Sequence, residues 1–289
     1  MRRSRSPATM IRMPRLPHPS PEELRRDPLP LRGRTALVTG ASRRGGIGHA
    51  VARRLAAYGA SVYLHHHVPH DAGMPWGADR PEDVVASVRD ALGDPEARVV
   101  AGPGDLADPA VPGELVARAA DALGGRLDIL VANHAQSGFD GSLDEIDTTM
   151  LDRHWAVDTR SVLLLVQAHA RLRPPGPGGR VVMMTSGQDI ASGMPGEIAY
   201  ALQKGALASI TRSLSTTLVE QGITVNTVNP GPVDTDYLTG EAYQAVADRF
   251  PAGRWGMPDD PSRLIAWLAT DEASWITGEV INSEGGFRR

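Results

Sequence analysis

The sequence predicts an α/β domain built on one doubly wound parallel sheet of about seven strands. Two observations carry this expectation. From residue 34 onward, short β-branched runs alternate with longer segments whose apolar residues recur at helical spacing, which is the pattern of βαβ units. The runs themselves, DILVAN (128–133) for instance, are apolar on both faces. Strands read that way when helices cover both sides of a sheet.

In chain order, TALVT (35–39) opens the sheet and a helix is expected over 46–58. SVYLH (61–65) and RVVAG (98–102) are the next strands, separated by a helical pattern at 81–92. A helix over 109–123 leads to DILVAN, and one long helix is expected over 148–172. RVVMMTS (180–186), a helix over 198–220, ITVNTVN (223–229), a helix over 259–270 and EVINS (279–283) complete the alternation. Two connections stand out. Residues 65–83, HHHVPHDAGMPWGADRPED, form a long loop, and RPPGPGG (173–179) a rigid turn; long loops in compact α/β domains tend to carry function.

At 289 residues, 41% hydrophobic and 22% charged, the chain can bury one large core. With no cysteine, disulfides, thiol catalysis and Cys-based metal sites are excluded. Residues 1–34 hold nine arginines against three acids, whereas the remainder carries 21 cationic against 31 acidic side chains. The expected organisation is a basic, Pro/Arg-rich disordered leader (1–30) and one folded domain (31–289). The acidic body argues against nucleic acid as a partner. No apolar run approaches the ~18 residues that cross a bilayer, so no membrane partner is expected. Arginines and prolines interrupt the first 20 residues, which suits neither a secretory signal nor an amphipathic transit peptide. The cytoplasm is the expected compartment.

The first strand runs into TGASRRGGIGHA (39–50), where Gly40, Gly46 and Gly48 lie between a strand end and a helix start. Glycine there permits a tight turn and lets backbone N–H groups approach a pyrophosphate at the helix N-terminus. The turn resembles the TGxxxGxG segment of the short-chain dehydrogenase/reductase family, lengthened by two residues. The resemblance continues through Asp105 and Leu106 in GDLAD, Asn133 in NHAQ, Ser186 in TSG, the pair Tyr200–Lys204, NPGPVDT (229–235) and GEVINSEGG (278–286). It implies a Rossmann fold, a nicotinamide cofactor and reversible hydride transfer between a ketone and a secondary alcohol, in the manner of the oxoacyl-reductase-like branch. It also implies a cofactor site built from Gly40, Ser42, Arg43, Arg44, Gly46, Ile47, Gly48, His65, Asp105, Leu106, Asn133, Tyr200, Lys204, Pro230, Gly231, Val233 and Thr235.

NAD enzymes commonly hold the adenosine ribose with an acid about 20 residues beyond the glycines, and an arginine accommodates the 2′-phosphate of NADP. The second strand here ends in Leu64, His65, His66 and His67, without an acid, while Arg43 and Arg44 sit inside the glycine turn. NADP(H) is therefore the expected cofactor, with NAD(H) the alternative. His65, His67 and His70 lack a carboxylate at ligand spacing, so no metal is expected.

Of the 30 Lys+Arg residues only Lys204 is a lysine, four positions after Tyr200 and so on the same helix face. A neighbouring ammonium and an oxidised nicotinamide ring would both favour the phenolate and lower the Tyr200 pKa. By resemblance Tyr200 exchanges the proton, Lys204 also grips the nicotinamide ribose, and Ser186 hydrogen-bonds the substrate oxygen. Thr185 and Ser192 are nearby hydroxyls off the family spacing. Two departures accompany this pattern. His134 and Gln136 replace an asparagine and a glycine of the family's NNAG-like turn, and Asp158 in WAVD (155–158) takes the place of the family's fourth catalytic residue, an asparagine. Asp158 is kept as a catalytic candidate. Pro230 and Gly231 would shape the turn beside the nicotinamide, Val233 meet its carboxamide and Thr235 the phosphates. Residues 236–257 form the expected substrate lid, lined by Tyr237, Leu238, Tyr243, Phe250 and Trp255. The expected partners are a small carbonyl or alcohol substrate and further copies of the chain, as a homodimer or homotetramer. A non-catalytic dinucleotide sensor on the same fold is the rival class.

Overall fold

The computed structural model describes residues 25–190 and 193–288. Most of the expected leader, and Ser192, lie outside these. From Leu31, which is fully buried, the chain belongs to the core.

Seven parallel strands form one sheet in the order β3-β2-β1-β4-β5-β6-β7. They are β1 (Thr35–Val38), β2 (Ser61–His66), β3 (Val99–Pro103), β4 (Ile129–Ala132), β5 (Gly179–Met184), β6 (Ile223–Asn229) and β7 (Val280–Asn282). Alternate residues serve opposite faces. Ala36, Val38, Val62, Leu64, Ile129 and Val131 join one core with α1 (Ile47–Ala57), α3 (Pro81–Arg89) and α9 (Asp259–Ala269). Leu37, Tyr63, Leu130, Val181 and Met183 join the other with α4 (Val111–Ala122), α6 (Ser161–Leu172) and α7 (Ile198–Leu218). Burying each large aliphatic side chain contributes roughly 2 kcal/mol, so neither face could be left uncovered. No helix among the described residues is long and apolar enough to cross a membrane.

The chain lays down β1, β2 and β3 outward and then crosses back to place β4 beside β1. In an open α/β sheet, the crevice beyond the carboxyl ends of the strands at that reversal is where ligands bind. The expected runs overshoot there: Thr39, Asn133, Thr185 and Ser186 lie just past their strands. Thr39 and Thr185 still bond the neighbouring strands through their N–H groups, and Asn133, Thr185 and Ser186 line the crevice.

Two expectations are corrected. The long loop after β2 contains a short helix, α2 (Val68–Ala72), and a further helix, α8 (Gly240–Ala247), lies within the expected lid. The single helix expected over 148–172 is α5 (Thr148–His154), a π-helical turn at Trp155–Arg160, and then α6. Such turns interrupt α-helices chiefly at functional sites. Here the turn carries Asp158 inward, where its Oδ1 accepts the Gln136 N–H at 2.8 Å.

Candidate active site

One cavity of about 1050 Å³ runs along the carboxyl ends of the strands, from the glycine turn to the start of α7. Gly40, Ser42, Arg43, Gly46, Ile47, His65, Asp105, Leu106, Asn133, Ser186, Tyr200, Lys204, Pro230, Gly231, Val233 and Thr235 all line it. Arg44, Gly48 and Asp158 do not.

The glycines are explained by close approach. Gly40 has φ +67°, and a Cβ there would lie 2.6 Å from His134 Cα. A Cβ on Gly48 would meet the Gly40 carbonyl at 2.5 Å and Asn133 Nδ2 at 2.6 Å, so Gly48 serves helix–strand packing. Asn133 Nδ2 donates to the carbonyls of Thr39 (3.0 Å) and Gly40 (3.1 Å). His65 accepts the Gly40 N–H at Nδ1 (3.3 Å) and donates from Nε2 to the Gly104 carbonyl (2.9 Å). Burial holds it neutral, with its pKa down to about 4. His134 takes up the altered turn: Nδ1 pairs with Thr39 Oγ1 (2.7 Å) and Nε2 with Ser161 Oγ (2.7 Å). Helix α1 begins at Gly46 with no side-chain cap and no acid in its first turn, leaving the positive end of its dipole for an anion.

The two arginines of the turn part company. Arg43 donates to the Thr235 carbonyl (2.9 Å), lies 3.5 Å from Asp71 and 4.0 Å from Asp236, and stacks over Trp76 at 5.1 Å. It thereby spans the cavity from the α2 loop to the lid. Arg44 instead pairs with Asp79 at 3.2 Å, away from the cavity.

At the other end, Tyr200 and Lys204 project from the third and seventh positions of α7. The residue before this helix, Glu197, supplies no side-chain cap. Asp140, from the loop after β4, does so instead: its carboxylate accepts the N–H groups of Ala199 (2.9 Å) and Tyr200 (2.7 Å). Lys204 is 2% exposed; its Nζ donates to the Met184 carbonyl (3.3 Å) and stands 5.4 Å from the Tyr200 ring centroid. Burial lowers its pKa, against the charge of Asp158. Thr185 is not an alternative to Ser186, because its hydroxyl donates to the Lys204 carbonyl (2.7 Å). Ser186 Oγ lies 3.7 Å from Met194 Sδ, and its hydroxyl is close enough to Tyr200 to lower the phenol's pKa.

The expected lowering of the Tyr200 pKa is not the state of this site. Burial raises it, and the charges of Asp158 and Glu197 raise it further, outweighing the Ser186 hydroxyl. The phenol is protonated at neutral pH, as an unperturbed tyrosine also is.

Asp158 is fully buried, and its second oxygen accepts from or pairs with His154 Nδ1 at 2.9 Å. His154 itself lines the cavity, edge-on to Tyr200 with ring centroids 6.3 Å apart. Of the five lid candidates only Tyr237 and Leu238 reach the cavity. Trp255 and Phe250 are buried at 3% and 6% exposure, and Tyr243 stacks on Trp255 at 4.8 Å, so these three pack the lid against the body. Sequence reasoning did not single out Asp140, Arg153, His154, Met194, Glu197 or Trp76, all of which line the cavity. The spacing His154–Asp158, one helical turn, was a usable signal; Asp140 offered none.

The uncapped α1 terminus, the glycine contacts and a cavity continuous with Ser186 and Tyr200 fit a nicotinamide dinucleotide. Comparisons with known proteins agree. Residues 40–288 match the family model described as enoyl-(acyl carrier protein) reductase. The chain is 41% identical over 256 residues to the uncharacterized oxidoreductase YjdA of Bacillus subtilis, covering 88% of this chain and 96% of that one. A short-chain dehydrogenase from Burkholderia cenocepacia, solved in complex with NADP, superposes with a TM-score of 0.77 at 36% identity, over 89% of this chain and 98% of that one. The angucycline C-6 ketoreductase LanV, solved with bound NADP, gives 0.76 at 31% identity over 89% and 96%.

Proposed function

The chain belongs to the short-chain dehydrogenase/reductase family, and from that premise we propose that it is an NADP(H)-preferring oxidoreductase that reduces a ketone, or oxidises the corresponding secondary alcohol, with Tyr200 as acid/base. The observation that carries this reading is the convergence of Ser186, Tyr200 and the buried Lys204 on one cavity with the glycine turn. A binding-only protein could use Lys204 for the ribose but would have no need of Ser186 and Tyr200 beside it.

A bound nicotinamide dinucleotide would supply the hydride. The pyrophosphate would be held by the turn at Gly40–Gly46 and the first amides of α1, and the ribose by Lys204. The protein's own part is proton management. Ser186 holds the ketone oxygen and steadies the charge that develops on it. Tyr200, protonated at neutral pH, delivers the proton. Lys204 supplies nearby positive charge as the phenolate forms.

Support for NADP comes from Arg43 in the cavity and from the two NADP-bound neighbours. A second reading, NAD, draws on one observation: Asp71 and Asp236 already engage Arg43. For the substrate we propose a ketone on a bulky, largely apolar frame, since Phe139, Met194, Tyr237 and Leu238 line the cavity beyond Tyr200. Absorbance at the reduced-cofactor band, with bulky aromatic and small aliphatic ketones in parallel with NADPH and NADH, tests the proposal. Turnover of bulky ketones with NADPH is expected. Turnover with neither cofactor on any ketone or alcohol would overturn it.

A further inference from the structure

His154 stands outside the Ser186–Tyr200–Lys204 group and is fully buried, yet both of its ring nitrogens face acceptors. Nδ1 lies 2.9 Å from Asp158 Oδ2, and Nε2 lies 3.2 Å from the Gly138 carbonyl with Asp140 Oδ2 3.9 Å away. The Gly138 carbonyl can only accept, so Nε2 carries a proton, and with Asp158 as the carboxylate Nδ1 carries one too. A neutral imidazole would then set one acceptor against another.

The geometry points to His154 as an imidazolium pin, a positioning residue for Tyr200 that ties the π turn to the loop capping α7. The linkage is short at every step. Asp158 is fixed from the other side by the Gln136 N–H (2.8 Å). His154 bridges from Asp158 to Gly138. Two residues on, Asp140 accepts the main-chain N–H of Tyr200 itself (2.7 Å). The Tyr200 ring then packs edge-on to the imidazole at an interplanar angle of 80°.

The charged and titratable groups facing His154 are Asp158 from the π turn, Asp140 from the loop after β4, and Glu197 and Tyr200 from the start of α7. Arg153, its neighbour in sequence, is directed elsewhere, to Gln136 Oε1 (2.9 Å) and the Phe139 ring. Burial works against a charged imidazole, but the Asp158 hydrogen bond and the charges of Asp158 and Asp140 outweigh it and hold the pKa above its ordinary value. The pin is therefore in place at lower pH and is lost as pH rises through that raised pKa. Its loss releases one of the two tethers and loosens the loop that sets the main chain of Tyr200.

The inference rests on Tyr200 being the proton donor, but the protonation state of His154 can be read without any turnover. Histidine-selective 13C NMR on the full chain, with the His154 signal assigned by its loss in His154→Gln, gives that state directly. In Asp158→Asn the shape and the acceptor for Gln136 remain while the charge goes. His154 is expected to titrate above the ordinary histidine value in the wild type and about one to three pH units lower in Asp158→Asn. In ketone reduction with NADPH the alkaline fall of kcat should move down with it. The KM for NADPH should change by less than about twofold, as for a loss confined to the chemical step. His154→Gln should lower kcat about tenfold to a hundredfold, the scale of a small misplacement of a reacting group. A His154 that is neutral at neutral pH, or an alkaline limb that stays put while the His154 titration moves, overturns the pin. Undiminished turnover by Tyr200→Phe would instead sink the donor reading and leave the titration standing.

Discussion

The Lys204 ammonium lies 5.4 Å from the centroid of the Tyr200 ring while its Nζ donates to the Met184 carbonyl at 3.3 Å. The lysine is thus fixed at the end of β5, behind the phenol and within the cavity wall. A guanidinium is planar, bulkier and permanently charged, and at 2% exposure there is no room to turn it aside. Lys204→Arg, which conserves charge, is expected to lower kcat about a hundredfold and to weaken cofactor binding, as displacement of a reacting group does. Steady-state kinetics and a cofactor-fluorescence titration check both effects. Near-normal values would mean that charge alone is required at this position.

The division of labour between the two arginines of the glycine turn gives a second prediction. Arg43 faces the cavity and Arg44 faces Asp79. Arg43→Ala is expected to raise the KM for NADPH about tenfold to a hundredfold, from the loss of one or two charged hydrogen bonds at roughly 1.5–3 kcal/mol each with partial exposure. NADH should be affected little. Arg44→Ala should change either KM by no more than about twofold, because exposed ion pairs contribute little. Equal losses with both cofactors in Arg43→Ala would assign the arginine to holding the turn rather than to the 2′-phosphate.

Buried neutral histidines set the response to acid. Burial brings His65 and His169 down to about 4, and His134 well below its ordinary value. In the unfolded chain these imidazoles take up protons near pH 6.5, so between that value and about 4 the unfolded state binds more protons and stability falls as pH falls. His65 and His169 each contribute up to about 3 kcal/mol to this loss. Asp259, held at about 2 by the Arg54 hydrogen bond, adds its loss only at lower pH. The melting temperature is expected to drop steadily from pH 7 to 4.5, and less steeply in His169→Leu. A flat profile over that interval would show that these side chains are solvated.

Much of this was legible from residue patterns, and the parts that were not share a cause. The seven strands appear as β-branched runs because a sheet covered on both faces needs apolar residues at every position, as in Ala36, Leu37 and Val38. Gly40, Ser186, Tyr200 and Lys204 were readable because their spacings are local. The π turn was not, since WAVDTR suits an ordinary helix and the partner of its Asp158, the Gln136 N–H, lies 22 residues away. Nor was the cap on α7, where Asp140 reaches Tyr200 across 60 residues. The lid aromatics were placed in the cavity by composition, whereas Tyr243, Phe250 and Trp255 pack on one another. Lys204 and Asp158 drew attention to charge near the phenol, but the net direction of the Tyr200 pKa depends on burial, which no spacing reveals.

Tyr200→Phe tests the central claim most directly, because it removes one oxygen from the buried ring and with it the proton donor. NADPH binding, followed by fluorescence, should be nearly unchanged, while ketone reduction should fall by at least about a hundredfold, the lower end of what a positioned acid contributes. Bound NADPH with reduction above about a hundredth of the wild-type rate would contradict the account and place the proton donor elsewhere in the cavity.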